Sequence, residues 1–378
     1  MSDMEKSIEV SIICMAYNQK KYIAEALESM LSQNTSFGYE IVVHDDMSTD
    51  GTTDIIKRYE QRYHGKIKAL YEKENQYSQG TDVFMGICMP KASGRYIAVC
   101  EGDDYWISDD KLQKEYDALE MHTEVDMCAC GATELTEGIE TGQIRPHTGN
   151  GILTTEEVIL GGGRYIATAT LFFRKALFSS IMEFEKVICF DYSNQIKGSL
   201  RGGIYYIDEI MAVYRRATEN SWTRKIEQNK QKRAKHIEKE TAMLRQLDID
   251  TAGKYHRVIE ERITAYTPFF EQLSQHREEI LELVSGLKGN IYLWGLGMRG
   301  DAVQEFCQKE NIKLTGVCDK KNSDIGSYTA YKFLIVSTGE AFEKSNVMFV
   351  SNNAIYEYLK DAGYKGEIIN FQKYMPLS

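Results

Sequence analysis

Residues 95–106 read Arg-Tyr-Ile-Ala-Val-Cys-Glu-Gly-Asp-Asp-Tyr-Trp, an apolar run that stops at Cys100 and gives way to three acids around Gly102. An unbroken apolar run of this kind is expected of a strand buried on both faces. Open α/β sheets bind their ligands outside the carboxyl ends of such strands. Two adjacent carboxylates on that turn repel each other and are costly to desolvate, unless a cation or hydrogen-bond donors face them. Hard divalent cations take oxygen ligands, often one or two carboxylates plus the phosphates of a nucleotide. Asp103 and Asp104 are thus candidates to hold a metal diphosphate. The plainer reading is a surface turn of helix-capping acids, since Asp109 and Asp110 follow shortly.

The same grammar recurs upstream. Val10 to Cys14 is a second buried run, followed by Tyr22, Ile23, Ala26, Leu27, Met30 and Leu31 at helical spacing. Glu40 to His44 predicts another strand and Thr52 to Tyr63 another helix, introduced by Ser48, Thr49, Asp50 and Gly51. Ile67 to Tyr71 adds one more strand. This alternation predicts a mostly parallel sheet covered by helices. It also delivers three polar turns to one edge: Ala16-Tyr17-Asn18, Asp45-Asp46 and Asp103-Asp104. Tyr17 offers a ring face for a base, and Asp46 can accept hydrogen bonds from a nucleobase or ribose.

Read together, VSIICMAYN (10–18), IVVHDDMSTDGTTDII (41–56) and ASGRYIAVCEGDDYW (92–106) resemble the family 2 glycosyltransferases of the GT-A fold, over about residues 8–222. The EGDDYW form is typical of bacterial members in surface-polysaccharide pathways such as capsule synthesis. The resemblance implies inverting transfer of a sugar from a nucleotide-diphosphate sugar to an acceptor hydroxyl, the acceptor being a glycan or a lipid-linked oligosaccharide. It assigns Tyr17 and Asp46 to the base with Asp45 beside them, Ala16 and Asn18 to the same nucleotide-sugar site, Asp103 to the donor ribose and sugar, and Asp104 to Mn2+ or Mg2+. Asn75 to Gly80 would line the donor pocket, and the acceptor would enter over residues 149–170. The general base would be an acid opening a helix beyond the strand ATATLFFRK, here Asp191, with Asp208 and Glu209 as rivals that lead into the strand Ile210 to Tyr214. One departure is Ala217, which stands where relatives often carry a His near the diphosphate. The metal would then lean on Asp104, phosphate and water, or Arg215 and Arg216 would neutralise part of the leaving charge.

After Trp106 the pattern is mixed, with a helix at Lys111 to His122 and short strands around Asp126 to Cys130, Thr168 to Phe173 and Ile204 to Tyr214. Gly161-Gly162-Gly163 reads as a plain connection rather than an acceptor loop. Residues 223–289 lose strand signals and read as a connector of two or three helices. Its cations, Lys225, Lys230, Lys232, Arg233 and Lys235, suit phosphate or an anionic membrane surface, though a solvated helix face is the plainer reading. In residues 290–378 a strand precedes Gly295-Leu296-Gly297-Met298-Arg299-Gly300, a helix follows, and Asp319 comes about 20 residues later, the spacing of a dinucleotide fingerprint. Strands at Lys313 to Cys318, Phe333 to Val336, Val347 to Val350 and Glu367 to Asn370 would complete a small Rossmann-like α/β domain. Gly295, Gly297, Gly300 and Asp319 are therefore a candidate second nucleotide site.

Composition closes off other classes. The 378 residues carry a formal charge of −11, the wrong sign for a protein whose main ligand is nucleic acid. The eight Cys have no metal or disulfide spacing and read as core-filling thiols. No secretion signal or membrane span is legible, so the expected place is the cytoplasm, with peripheral contact at the inner membrane face. Competing readings are an NAD(P)-dependent sugar-modifying enzyme built on the C-terminal fingerprint and a non-catalytic nucleotide-sugar-binding protein. The former leaves the three N-terminal acidic turns unexplained.

Overall fold

The computed structural model describes residues 7–187, 191–216, 218, 224, 229–320 and 324–374. The chain divides into two compact units, Met1–Ile259 and Glu260–Ser378.

The first unit opens with β1 (Ile8–Ala16), α1 (Ile23–Leu31), β2 (Gly38–Asp45), α2 (Thr52–Arg62) and β3 (Ile67–Tyr71). Next come β4 (Tyr96–Val99), β5 (Tyr105–Trp106), α3 (Lys111–Met121), β6 (Met127–Thr136), β7 (Ile139–Ile144) and β8 (Gly151–Leu153). It continues with α4 (Thr155–Gly161), β9 (Phe172–Arg174), α5 (Asp191–Ser199), β10 (Ile204–Arg216) and α6 (Lys230–Asp250). The strands form one mixed sheet in the order β3-β2-β1-β4-β9-β6-β10-β5, with β7 on β6 and β8 on β10. β1 is the hub, parallel to β2 on one side and β4 on the other. Ile12, Ile13, Ile41, Val42, Val43, Ile97, Ala98 and Val99 are all fully buried, which is why these strands read as runs rather than as alternations. Gly94 lets β4 enter beside β1, because a Cβ there would sit 2.5 Å from the Ser11 amide nitrogen.

Several local expectations change. Thr168 to Phe173 is not one strand. Thr168–Thr170 is a 3-10 turn closed by Thr170 N to Ala167 O at 2.9 Å, and the Thr170 hydroxyl donates to the same carbonyl, a local bond that competes with the ladder. Asp208 and Glu209 do not precede a strand. They sit at a register shift inside the continuous β10. The three glycines close α4, with Gly162 at φ 72° donating its amide to Val158 O. Cys14, Cys88, Cys100, Cys128, Cys130, Cys307 and Cys318 are buried free thiols.

The division between units falls within α7 (His256–Ala265). The second unit continues with α8 (Phe269–Gln275), α9 (Arg277–Ser285), β11 (Ile291–Trp294), α10 (Met298–Lys309) and β12 (Gly316–Cys318). It ends with α11 (Thr338–Lys344), β13 (Val347–Val350), α12 (Asn353–Asp361) and β14 (Glu367–Asn370). Its four strands lie in the order β12-β11-β13-β14, all parallel. Leu293 and Phe349 pack with Val303 and Phe306, whereas Tyr292, Trp294, Met348 and Val350 pack with Ala341 and Leu359, so the sheet carries a core on each face. Phe333 to Val336 forms single bridges to Tyr328 and Val317 instead of the expected strand. Among the described residues, 223–289 contains four helices, α6 to α9, rather than two or three.

Candidate active site

The order β2-β1-β4 brings three carboxyl ends side by side. Ala16 pairs with Asp45 and Ile13 with Val99 in register. Past the ladders, Asp46 N donates to Ala16 O at 3.0 Å, Cys100 N to Ile13 O at 3.1 Å and Gly102 N to Met15 O at 3.0 Å. The acidic turns are therefore held to the end of β1 by main-chain bonds. Gly102 suits this closeness, since a Cβ would lie 2.4 Å from Gln19 Oε1, 3.0 Å from Ile23 Cδ1 and 3.1 Å from Ala16 Cβ, so that these side chains would have to shift.

Each sequence-predicted residue has a distinct setting. Ala16 is buried and Tyr17 is 36% exposed at the edge. Asn18, at φ 52°, ties two turns together: its amide donates to Ser48 Oγ at 2.9 Å and its Oδ1 accepts from Thr49 N at 2.8 Å. Asp45 is buried and accepts from Ser48 N and the Thr53 hydroxyl. Asp46 is buried too, and its two oxygens accept from Gln76 N at 2.6 Å and Tyr77 N at 3.1 Å. It thereby anchors the Asn75 to Gly80 segment beside the edge, a charge-assisted role that sequence spacing did not reveal.

Asp103, Asp104, Glu101 and Asp191 form the electrostatic centre. Asp104 is 1% exposed. Its Oδ1 accepts from Arg215 N at 2.7 Å, and its Oδ2 is buried with no hydrogen-bond partner. Asp103 Oδ2 accepts from the Thr218 hydroxyl at 2.8 Å. Burial drives the Asp104 carboxyl well above the usual range, and Asp103 and Asp191 add to the shift. Glu101 is raised for the same reasons, first burial, then Asp191, Asp103 and Asp104. Burial also pushes Asp191 up to about 6, against a hydrogen bond from Thr168 and the charge of His236. Asp191 Oδ1 is the second buried carboxylate oxygen here without a partner. Four mutually repelling acids with two orphaned oxygens are what a cation and a proton-donating ligand would relieve.

The donor set fits a divalent cation held by one protein oxygen, Asp104 Oδ2, together with substrate oxygens. Among the described residues no three His, Cys, Asp or Glu side chains cluster to hold a metal by themselves. Ala217 lies outside the described residues. Arg215 is committed inside the protein: Nη1 donates to Asp103 O at 2.6 Å, Nη2 reaches Glu25, and the guanidinium lies 4.9 Å from the Tyr22 ring and 4.5 Å from that of Tyr105. Arg216 faces Glu134 at 3.5 Å.

Of the rivals to Asp191, Asp208 receives Arg145 Nη2 at 2.7 Å and Gly149 N at 2.6 Å, which hold its carboxyl down at about 2. Glu209 is exposed and paired with Lys114. Glu101 has no role legible in the sequence, and Thr168 reads there as a strand residue. His236 was missed because it belongs to a Lys/Glu-rich stretch that reads as a solvated helix. It comes from α6 and pairs with Glu240 Oε1 at 3.2 Å.

A parallel-hubbed α/β sheet that gathers acids at one carboxyl edge defines the class: an open α/β protein, a class in which ligands bind outside the carboxyl ends of the strands. Comparison with known proteins then narrows it. Residues 11–179 match the family model described as glycosyl transferase family 2. An uncharacterized protein of Mycobacterium tuberculosis is 30% identical over 215 residues, 56% of this chain and 60% of that one. The Escherichia coli UDP-Glc:alpha-D-GlcNAc-diphosphoundecaprenol beta-1,3-glucosyltransferase WfaP is 41% identical over 99 residues, 26% of this chain and 37% of its own. The chain thus spans less than two thirds of these relatives' lengths. The Staphylococcus aureus TarS 1-349 structure in complex with UDP-GlcNAc superposes with TM-score 0.51 at 18% identity, covering 80% of this chain and 81% of that one. Residues 11–179, somewhat less than half of the chain, thus match the family 2 glycosyltransferase model, and the likeness to TarS shows a shared fold, GT-A.

Proposed function

We propose that the chain transfers a sugar from a nucleotide-diphosphate sugar to an acceptor hydroxyl, with inversion at the anomeric carbon, in surface-polysaccharide synthesis. The observation that carries this reading is the pair of orphaned buried oxygens, Asp104 Oδ2 and Asp191 Oδ1, beside turns that can seat a nucleotide. The donor's base lies against Tyr17, with Asp46 and the Asn75 to Gly80 segment as its wall and Asp103 toward the ribose and sugar. The names of WfaP and the TarS complex favour uridine as the base, and that of WfaP favours a lipid-linked diphosphate acceptor met at the inner membrane face. No helix among the described residues is long and apolar enough to cross a membrane.

Chemically the transfer is one displacement. The acceptor oxygen forms a bond to the anomeric carbon as the bond to the diphosphate oxygen breaks, and the acceptor proton must go to a base. Asp191 takes it: its carboxyl is raised toward neutrality, one oxygen has no competing donor, and Thr168 orients it. A divalent cation, Mn2+ or Mg2+, held by Asp104 would supply Lewis-acid neutralisation of the leaving diphosphate. Replacing Asp191 with Asn should lower kcat by about 10²–10⁴-fold, measured as release of nucleotide diphosphate in the presence of acceptor, while calorimetric donor affinity stays as in the parent. Normal turnover by Asp191→Asn would sink the assignment.

A further inference from the structure

We propose that the C-terminal unit holds a second nucleotide site, built for the diphosphate and one nucleoside of a nucleoside 5′-diphosphate, at the crossover between β11 and β13. Strand order reverses there, since β12 lies on one side of β11 and β13 on the other, which opens a crevice at the strand ends.

Three glycines in the turn do three different mechanical jobs. Gly295, at φ 128°, makes a bend that L side chains rarely adopt. Gly300 lets α10 close on β11, because a Cβ there would stand 1.9 Å from Gly295 O. Gly297 has φ −82°, which any residue tolerates, and a Cβ on it would meet nothing within 4 Å. Neither backbone strain nor packing therefore accounts for a glycine at 297. As the N-cap of α10, a position that favours glycine, it also leaves open space in front of the main chain where the helix begins, and the first-turn amides of a helix have no partners within it.

A cavity of about 270 Å³ adjoins this turn, lined by Trp294, Asp319, Lys320, Asn352, Ile355 and Tyr358. Asp319 belongs to both features, for its Oδ2 accepts from Leu296 N at 3.2 Å while it walls the cavity. The Trp294 and Tyr358 rings meet edge to face at 5.7 Å, and Lys320 Nζ lies 3.5 Å over the Tyr358 ring. An aromatic corner, a carboxylate and an ammonium in one cavity match a nucleoside's ring, ribose hydroxyls and phosphate charge respectively. The diphosphate lies over Gly297 and the nucleoside fills the cavity.

Hydrogen–deuterium exchange on the full chain tests this, with ADP, NAD and UDP-GlcNAc as separate probes. At a tenfold excess over Kd, binding should slow exchange in segments 295–301 and 350–358 by roughly tenfold. The probe that acts at lowest concentration distinguishes a dinucleotide from a nucleotide-sugar ligand. Gly297→Val, whose Cβ meets no neighbour, should lower Tm only slightly, as expected for loss of an N-cap glycine, yet weaken this protection at least about tenfold. Segments 15–20, 45–51 and 101–105 report the N-terminal site separately. Protection confined to those three segments overturns the proposal, and so does protection of 295–301 that survives Gly297→Val.

Discussion

Asp191 and Asp208 are both acids within reach of the sequence argument, and their surroundings give them opposite chemistry. Two donors hold Asp208 ionised down to about pH 2, so it is a very weak base. Burial raises Asp191 to about 6, where a carboxylate is a much better proton acceptor and is still ionised at neutral pH. Because only the ionised form can accept the proton, kcat/KM should fall below about pH 6, approaching tenfold per unit. A pH–rate profile taken from about pH 5 to about pH 8 checks this. Activity that stays flat to about pH 4 would point to Asp208-like chemistry instead.

The acidic turn also depends on the helix behind it. α3 begins with Lys111, which is fully buried and pairs with the equally buried Glu115 at 2.7 Å. Lys111 Nζ also lies 4.4 Å from the Trp106 ring, and Trp106 Nε1 donates to Ala169 O at 2.8 Å, so the pair braces the end of the DDYW turn against the Thr168 turn. Removing one partner of a buried pair strands the other charge. Lys111→Met should therefore cost about 3–5 kcal/mol of stability in denaturant unfolding, whereas Lys111→Met with Glu115→Leu should recover most of it. Equal losses in the single and double variants would mean that shape, not charge, governs this position.

Across the full chain the charge is −11, and four of its acids, Glu101, Asp103, Asp104 and Asp191, are gathered at the site. A nucleotide diphosphate is itself an anion, so it should bind weakly until a cation stands between it and Asp104. With Mn2+ present, UDP at a hundredfold excess over Kd should contribute about 2.7 kcal/mol of stabilisation and raise Tm. Saturating chelator should remove most of that rise, as read by calorimetry. An undiminished rise would mean that Arg215 or Arg216 carries the phosphate charge, although Arg215 is engaged by Asp103, Glu25 and two tyrosine rings.

The buried strands, their shared carboxyl edge and the acids on it were legible from residue order, because each strand and the turn that follows it are contiguous in the chain. The same holds for the glycine turn after β11. Other features came only with folding. Asp46 is spent on the amides of Gln76 and Tyr77, Asp104 on the amide of Arg215, and Asp191 feels Thr168 and His236. The donors that disarm Asp208, Arg145 and Gly149, likewise come from distant segments, whereas the turn where a strand was expected at Thr168 to Thr170 is closed by local bonds to Ala167. A carboxylate's position follows from local pattern, but its affinity for a proton or a cation depends on which donors and charges are packed around it. Those arrive from segments tens of residues away, and no local spacing encodes them.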